Sequence, residues 1–325
     1  MSTAFRFLLQ AREKLYSSGL LSSVRLNHPV ISIGNLTMGG TGKTPLAIAI
    51  AERLRAGGLH PVILSRGYRR TSREILVVSS VLRSAEGAPT ARLGGVRWEH
   101  VGDEPYMMAL RLGNVPVVVG ADRYQAGLLA ERRGLGDIFI LDDGFQHWRL
   151  HRDLDIVTID PVEWAAGEAL FPIGHWREPK SAVARAHFAC VQEVAGAEMP
   201  ALPIPSFMAR TEIQGIYKED ALTPLETLRG RAIVAFAGIA KPERFFATVE
   251  SLGIHPVQCV SFRDHHRYSA RDIQNLGGEV RITTEKDAVR LQSLGFTDFV
   301  YLRISVNIPG FERLMSIILG RLSKL

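Results

Sequence analysis

Residues 29–45 read PVISIGNLTMGGTGKTP. An apolar, β-branched run enters a turn holding Gly39, Gly40 and Gly42, and Lys43-Thr44 open a helix with Pro45 in its first turn. Proline is tolerated there because first-turn N–H groups have no helical partner. Strand, glycine-rich turn and helix in this order form a phosphate-binding loop: backbone N–H groups converge on phosphate oxygens and the helix start adds a favourable dipole. Gly39, Gly40, Thr41 and Gly42 would form the cradle, Lys43 would neutralise the β and γ phosphates, and Thr44 would offer its hydroxyl to Mg²⁺. The strict pattern GxxxxGK[ST] wants glycine where this chain has Thr37. The other glycines keep the turn permissive.

That loop fixes the fold class, because it needs a parallel sheet to sit on. The runs at 29–33, 61–65, 75–80, 115–121, 137–143 and 154–160 are apolar and β-branched, with helical stretches at 44–56 and 122–133 between them. Continuous apolar strands alternating with helices predict an α/β fold with a mostly parallel sheet covered on both faces. Residues 195–206 carry three prolines and read as a linker. A second α/β series follows, with strands at 231–239, 255–262 and 299–308, helices over 241–252 and near 269–276, and a final basic-ended helix to Leu325. The expected organisation is an N-terminal segment 1–26, a P-loop domain 27–205 and a smaller α/β domain 206–325.

The strand at 137–143 ends in Asp142-Asp143, and carboxylates at such a strand end hold Mg²⁺ or its water shell in P-loop enzymes. The lesser alternative is a pair of acids that begins a turn before Gly144. His151-Arg152-Asp153-Leu154 spells a protein-kinase catalytic loop, but Thr158 stands where that loop needs asparagine and there is no DFG, so it reads as chance in an exposed basic loop. DxxG and a correctly spaced NKxD are missing, which disfavours a GTPase.

An alcohol acceptor needs an orienting carboxylate or base. Asp103, in Gly102-Asp103-Glu104-Pro105, is such a carboxylate or a helix N-cap. Asp264-His265-His266 follows the strand 255–262, as surface residues or as a catalytic partner from the second domain. The histidine pair lacks the further ligands of a zinc site.

With 39 Lys plus Arg against 33 Asp plus Glu, the formal charge of +6 favours an anionic partner. Cys190 and Cys259 are too few for a disulfide framework or a four-thiolate zinc site. No run of about 18 apolar residues predicts a membrane span. In residues 1–26, Arg6, Arg12, Lys14 and Arg25 face one acid, Glu13, and apolar residues fall at rough helical spacing. This is either a basic amphipathic helix on a membrane or a packing helix.

GNLTMGGTGKTP, SRGYRR (65–70), GDEP (102–105), DDGFQH (142–147), GHWREP (174–179), FAGIAKPERFF (236–246), FRDHH (262–266) and TTEKDAVRL (283–291) occur in order. Together they resemble the tetraacyldisaccharide 4′-kinase family of lipid A biosynthesis, over nearly the whole chain. The resemblance implies ATP- and Mg²⁺-dependent phosphorylation of the 4′-hydroxyl of a tetraacylated glucosamine disaccharide 1-phosphate. It also implies a P-loop domain joined to a smaller α/β domain by a β-ribbon, and a monomer held peripherally or monotopically on the cytoplasmic face of the inner membrane. The expected partners are the lipid substrate and an anionic membrane surface, not nucleic acid. Asp103 becomes the base or orienting carboxylate and His265, rather than His266, its partner. Asp142 and Asp143 serve Mg²⁺ and nucleotide, and Arg123, Gln146, Arg177 and Glu178 line the cleft or the lipid head group. Arg6, Arg12, Lys14 and Arg25 face lipid head groups. Trp176, in GHWREP, departs from a more usual leucine and adjusts packing. The competing readings are a P-loop ATPase driving assembly or metal insertion, disfavoured by the lack of metal-ligand clusters, and a non-enzymatic, ATP-gated membrane-binding module.

Overall fold

The computed structural model describes residues 2–79 and 95–322. The last residue of the strand expected at 75–80 and the last three of the expected C-terminal helix lie outside the described residues. In chain order the first half holds α1 (Ser2–Ser17), β1 (Val30–Asn35), α2 (Lys43–Ala56), β2 (Pro61–Ser65), β3 (Leu76–Val78), α3 (Trp98–Val101), α4 (Asp103–Leu112), β4 (Val117–Val119), α5 (Arg123–Arg132), β5 (Ile138–Asp142), β6 (Leu154–Ile159), α6 (Pro161–Ala165) and β7 (Phe188–Gln192). The second half holds β8 (Ser206–Lys218), β9 (Ala221–Thr223), β10 (Ile233–Ala237), α7 (Pro242–Ser251), β11 (Gln258–Ser261), α8 (Ala270–Gln274), β12 (Val280–Thr284), α9 (Glu285–Gln292), β13 (Val300–Asn307) and α10 (Phe311–Leu322).

The strands run β11-β10-β12-β13-β8-β7-β6-β1-β5-β2-β4-β3, with β9 paired to β8. β1 lies parallel between β5 and β6, and every residue of these three strands is buried. Strands buried on both faces are mostly apolar and β-branched, which is why they stand out in the sequence, with Ser32, Asp155 and Thr158 as buried polar exceptions. β11, β10, β12 and β13 form a second parallel set. The two sets share one strand. β8 pairs parallel with β7 through residues 206–209, then antiparallel with β13 through residues 210–217. The β8–β13 pair is the ribbon that joins the halves.

The last helix departs from the expected division. Leu314, Met315 and Ile318 of α10 are buried in one cluster with Ile48 and Leu54 of α2 and with β1, so α10 packs on the first half. The second half keeps its own cores, around Val249, Ile282 and Phe236. The His151–Leu154 corner is structural rather than an exposed loop: Asp153, its side chain shielded, accepts the Val30 N–H at 2.8 Å and Arg152 bonds Asp155 at 2.8 Å.

α1 also differs from expectation. Arg12 donates to the Gln146 carbonyl, Tyr16 stacks on Trp148 at 5.5 Å, Arg6 pairs with Glu168, and Arg25 meets Asp153 at 3.4 Å. Three of the four basic residues assigned to lipid head groups are therefore engaged by the protein, because nearby carboxylates and a carbonyl offer closer partners. Lys14 is exposed, as are Phe7, Leu8 and Leu15. Among the described residues no helix is long and apolar enough to cross a membrane.

One close approach governs the sheet edge. A Cβ on Gly34 would stand 2.5 Å from Phe145 Cβ and 2.7 Å from its backbone N. Gly34→Ala is expected to destabilise the fold by about 1–3 kcal/mol, the usual cost of overpacking a filled core. An unchanged thermal midpoint for the variant would contradict this packing.

Candidate active site

In open α/β sheets, ligands collect at the carboxyl ends of the strands. Here the carboxyl ends of β1, β5 and β6 face those of β10 and β12 across a cavity of about 980 Å³. Residues 39–44 form one wall. Gly42 precedes α2 at φ 80°, a left-handed conformation that glycine adopts without strain, and no side chain caps the helix start. The first-turn N–H groups are thereby left to a ligand. Thr37 explains its own departure from the strict pattern: its hydroxyl donates to Glu163 at 2.7 Å and its backbone bridges Trp176, so the side chain ties the loop down. Trp176 is fully buried against Trp164, a packing role as expected. Thr41 bonds Asn35 at 2.9 Å and Thr158, at the end of β6, at 2.7 Å.

Asp142 and Asp143 leave β5 side by side but differ in state. Asp143 holds φ 51°, meets Lys43 Nζ at 3.5 Å and accepts from Arg177 at 2.8 Å. Burial opposes its charge, but Lys43 and Arg177 outweigh it and hold Asp143 down to about 2. Asp142 accepts from Ser65 at 3.1 Å, and burial, then Glu104 and Asp143, push it up to about 7. A buried carboxylate facing two others is short of a cation. This donor set fits Mg²⁺. Among the described residues no three His, Cys, Asp or Glu side chains gather into a ready-made metal site, whereas Mg²⁺ is usually held by one or two carboxylates plus substrate phosphates.

Asp103 and His265, far apart in sequence, meet with Oδ2 and Nδ1 2.9 Å apart. Asp103 is the first residue of α4 and its Oδ1 accepts the Glu104 N–H at 2.9 Å. The helix cap is Gly102, which displaces the N-cap reading. His265 sits at φ 57° in the loop after β11, with its N–H on Gly238 O at 3.1 Å. His266 points elsewhere, stacked on Phe262 and 3.3 Å from Asp272. Burial raises the Asp103 carboxyl, but Lys286, His265 and Arg290 together hold it well below the usual carboxylate range. Strained non-glycine backbone at both Asp143 and His265 marks positions that the surrounding fold must enforce.

Gln146 and Arg177 also reach the cavity wall. Arg123 and Glu178, expected beside them, are buried and do not line it. Arg123 folds back onto Ala121 O at 2.7 Å, close enough to Asp142 and Asp143 to feel their charge, while burial and Arg66 push its guanidinium down to about 10. Glu178 pairs with Arg185, which lies over Phe145 and Trp148.

The sequence matches the family described as tetraacyldisaccharide-1-P 4′-kinase over residues 1–323. It is 39% identical over 303 residues to the tetraacyldisaccharide 4′-kinase of Geobacter metallireducens, covering 90% of this chain and 87% of that one. It is 36% identical over 320 residues to that of Aquifex aeolicus, covering 98% and 96%. The chain belongs to the tetraacyldisaccharide-1-P 4′-kinase family. Its fold matches the crystal structure of the "apo" form of LpxK from Aquifex aeolicus in complex with ATP, with TM-score 0.83 and 36% identity over 99% of this chain and 97% of that one.

For a member of a phosphotransferase family, the site holds residues that the sequence analysis assigned no role. Lys286, at the start of α9, contacts Glu104 at 3.0 Å and His265 Nε2 at 3.2 Å. The block TTEKDAVRL contained it, but its partners come from distant segments. From α7, Arg244 bonds Asp160 at 2.6 Å and Gln192 at 3.0 Å, and Lys241 meets Glu163 at 2.6 Å. These pairs hold the second half against the P-loop side of the kinase fold.

Proposed function

We propose that this chain transfers the γ-phosphoryl group of ATP to the 4′-hydroxyl of a tetraacylated glucosamine disaccharide 1-phosphate. The observation that carries the reading is the Asp103–His265 pair, which lines the same cavity as Lys43 and the glycine loop. Phosphoryl transfer asks mainly for positioning and charge stabilisation. The loop amides and Lys43 would bind the triphosphate. Ionised Asp103 would accept the hydrogen bond of the sugar hydroxyl and take its proton as the oxygen attacks phosphorus, while His265 holds the carboxylate in place. Thr44 and Asp142, with Asp143 beside them, would hold Mg²⁺, which supplies neutralisation of phosphate charge. Gln146 and Arg177 would face the substrate, and Arg123 and Glu178 would support that wall from behind.

A four-chain lipid stays in the membrane, since each buried methylene is worth about 0.8 kcal/mol. Exposed Phe7 and Leu8 on α1, exposed Phe171 packed edge-on against Phe5, and exposed Ile173 support contact with a lipid surface. We place the enzyme peripherally on the cytoplasmic face of the inner membrane, as a monomer. Incubation with terminally labelled ATP, Mg²⁺ and the acylated disaccharide in mixed micelles should carry label into the organic phase. Label that stays wholly aqueous would reject the reading.

A further inference from the structure

Lys286 is a cavity cation whose partners come from both halves of the molecule. Its ammonium stands 3.0 Å from Glu104 Oε1 on α4, 3.2 Å from His265 Nε2 and 3.5 Å from Asp264 Oδ1. An ammonium has three protons and no lone pair. Each atom it reaches at hydrogen-bond distance, Glu104 Oε1 and His265 Nε2, must therefore accept, while Asp264 Oδ1 at 3.5 Å is an ion-pair contact only. His265 Nε2 is consequently the unprotonated nitrogen, and the ring proton resides on Nδ1, pointing at Asp103 Oδ2 2.9 Å away.

We propose that Lys286 is a positioning residue that fixes His265 as the neutral Nδ1–H tautomer, so that Asp103 is held by a donated hydrogen bond and keeps its charge for the acceptor hydroxyl. The kinetic part of this inference rests on the phosphotransferase reading above. The charged neighbours of His265 support it. Asp103 and Glu104 from α4, Asp264 from its own loop, and Arg290 from α9, 3.7 Å from Asp103, surround the ring with both signs of charge, and Tyr68 covers it with ring centroids 5.1 Å apart. Burial works against charge on Lys286, but Glu104, Asp103 and Asp264 hold its ammonium well above the usual range, so it stays a donor. A protonated His265 would still bond Asp103, but it would lower the basicity of the carboxylate when the proton must be taken.

A second use of Lys286, direct contact with a phosphate, is chemically open to any lysine in a P-loop enzyme cavity. It predicts a different kinetic pattern. The test uses the full chain with ring-¹⁵N histidine, the His265 signals being identified by their loss in His265→Asn. In the wild-type protein between about pH 6 and 8, Nδ1 should give the shift of a protonated nitrogen and Nε2 that of an unprotonated one. The opposite tautomer, or an imidazolium, overturns the proposal without any variant having to fold. In Lys286→Met the two ring nitrogens should lose this fixed assignment and exchange tautomers. Steady-state kinetics should show kcat reduced about 10²-fold, within the general acid–base range, with both KM values within about threefold. Adding Lys286→Met to His265→Ala should cost little more than His265→Ala alone. A raised KM for ATP with unchanged kcat, or losses that multiply in the double variant, would assign Lys286 to phosphate and overturn the positioning role. The ring-nitrogen readout needs no acceptor substrate. If the wild-type chain moved no phosphate, the phosphotransferase reading would fail while the tautomer result still decided what Lys286 does to His265.

Discussion

Asp103→Asn is expected to lower kcat by about 10²–10⁴-fold, the usual contribution of a positioned general base, and to leave ATP affinity within about twofold. The amide keeps the shape of the carboxylate and can still accept from His265 Nδ1, 2.9 Å away in the native protein. It cannot take a proton. The sign of the charge balance strengthens the second half of the prediction: with Asp103 neutral, Lys286 and Arg290 keep their positive charge near the cavity, so an anionic nucleotide is not repelled. The pH behaviour follows from the direction of the Asp103 shift. A carboxyl whose folded value lies below its unfolded one is fully ionised above the ordinary carboxylate range, and loses its contribution only as pH falls through the lowered value. Asp103 is thus already ionised across the neutral range, and the ratio of wild-type to variant kcat should stay flat there. A variant that turns over at the wild-type rate, or a ratio that collapses at mildly acidic pH, would remove Asp103 from the base position.

What the sequence could show divides along one physical line. β1, β2, β5 and β6 are buried on both faces, so they announce themselves as predominantly apolar, β-branched runs, and the glycine loop follows β1 with no intervening insertion. β8 was not legible. It carries mostly exposed and partly buried residues because it is a ribbon between the halves, and its SFMARTEIQGIYK run has no long apolar stretch. β12, VRITT, is short and carries three polar residues although it lies between β10 and β13, so it shows no apolar run either. The site divides similarly. Residues adjacent in sequence, such as Gly42-Lys43-Thr44 or Asp142-Asp143, could be read as a unit. From the residues alone, Asp103 and His265 stand only as a carboxylate and a histidine offered by different domains, because their meeting depends on how β8 and β13 orient one half against the other; the resemblance makes them a pair. Arg12 shows the limit of pattern reading from the other side. Its charge and helical spacing suit a lipid surface, yet the fold puts a carbonyl, Gln146 O, within its reach.

Lys43→Met should separate the kinase from any enzyme that only hydrolyses ATP, when set beside Asp103→Asn. Lys43 is three-quarters or more shielded in the cavity, with its ammonium 3.5 Å from Asp143 and the glycine loop immediately before it. Removing it takes away the only cation carried by the loop itself and leaves Asp143 with Arg177 alone, at 2.8 Å. Loss of a single preorganised charge stabiliser typically costs about 10²–10³-fold in kcat, and here ATP affinity should weaken as well, since the same ammonium neutralises bound phosphate in the ground state. The acceptor's affinity should not change. In a lipid-sugar kinase the two variants both stop phosphate transfer, but only Lys43→Met weakens ATP binding. In an ATPase without an acceptor, Asp103→Asn would leave hydrolysis near the wild-type rate while Lys43→Met abolished it. Nucleotide titration with a non-hydrolysable analogue, run alongside initial rates for both variants, distinguishes the two patterns; undiminished affinity and rate in Lys43→Met would contradict the phosphate-binding role from which the site was built.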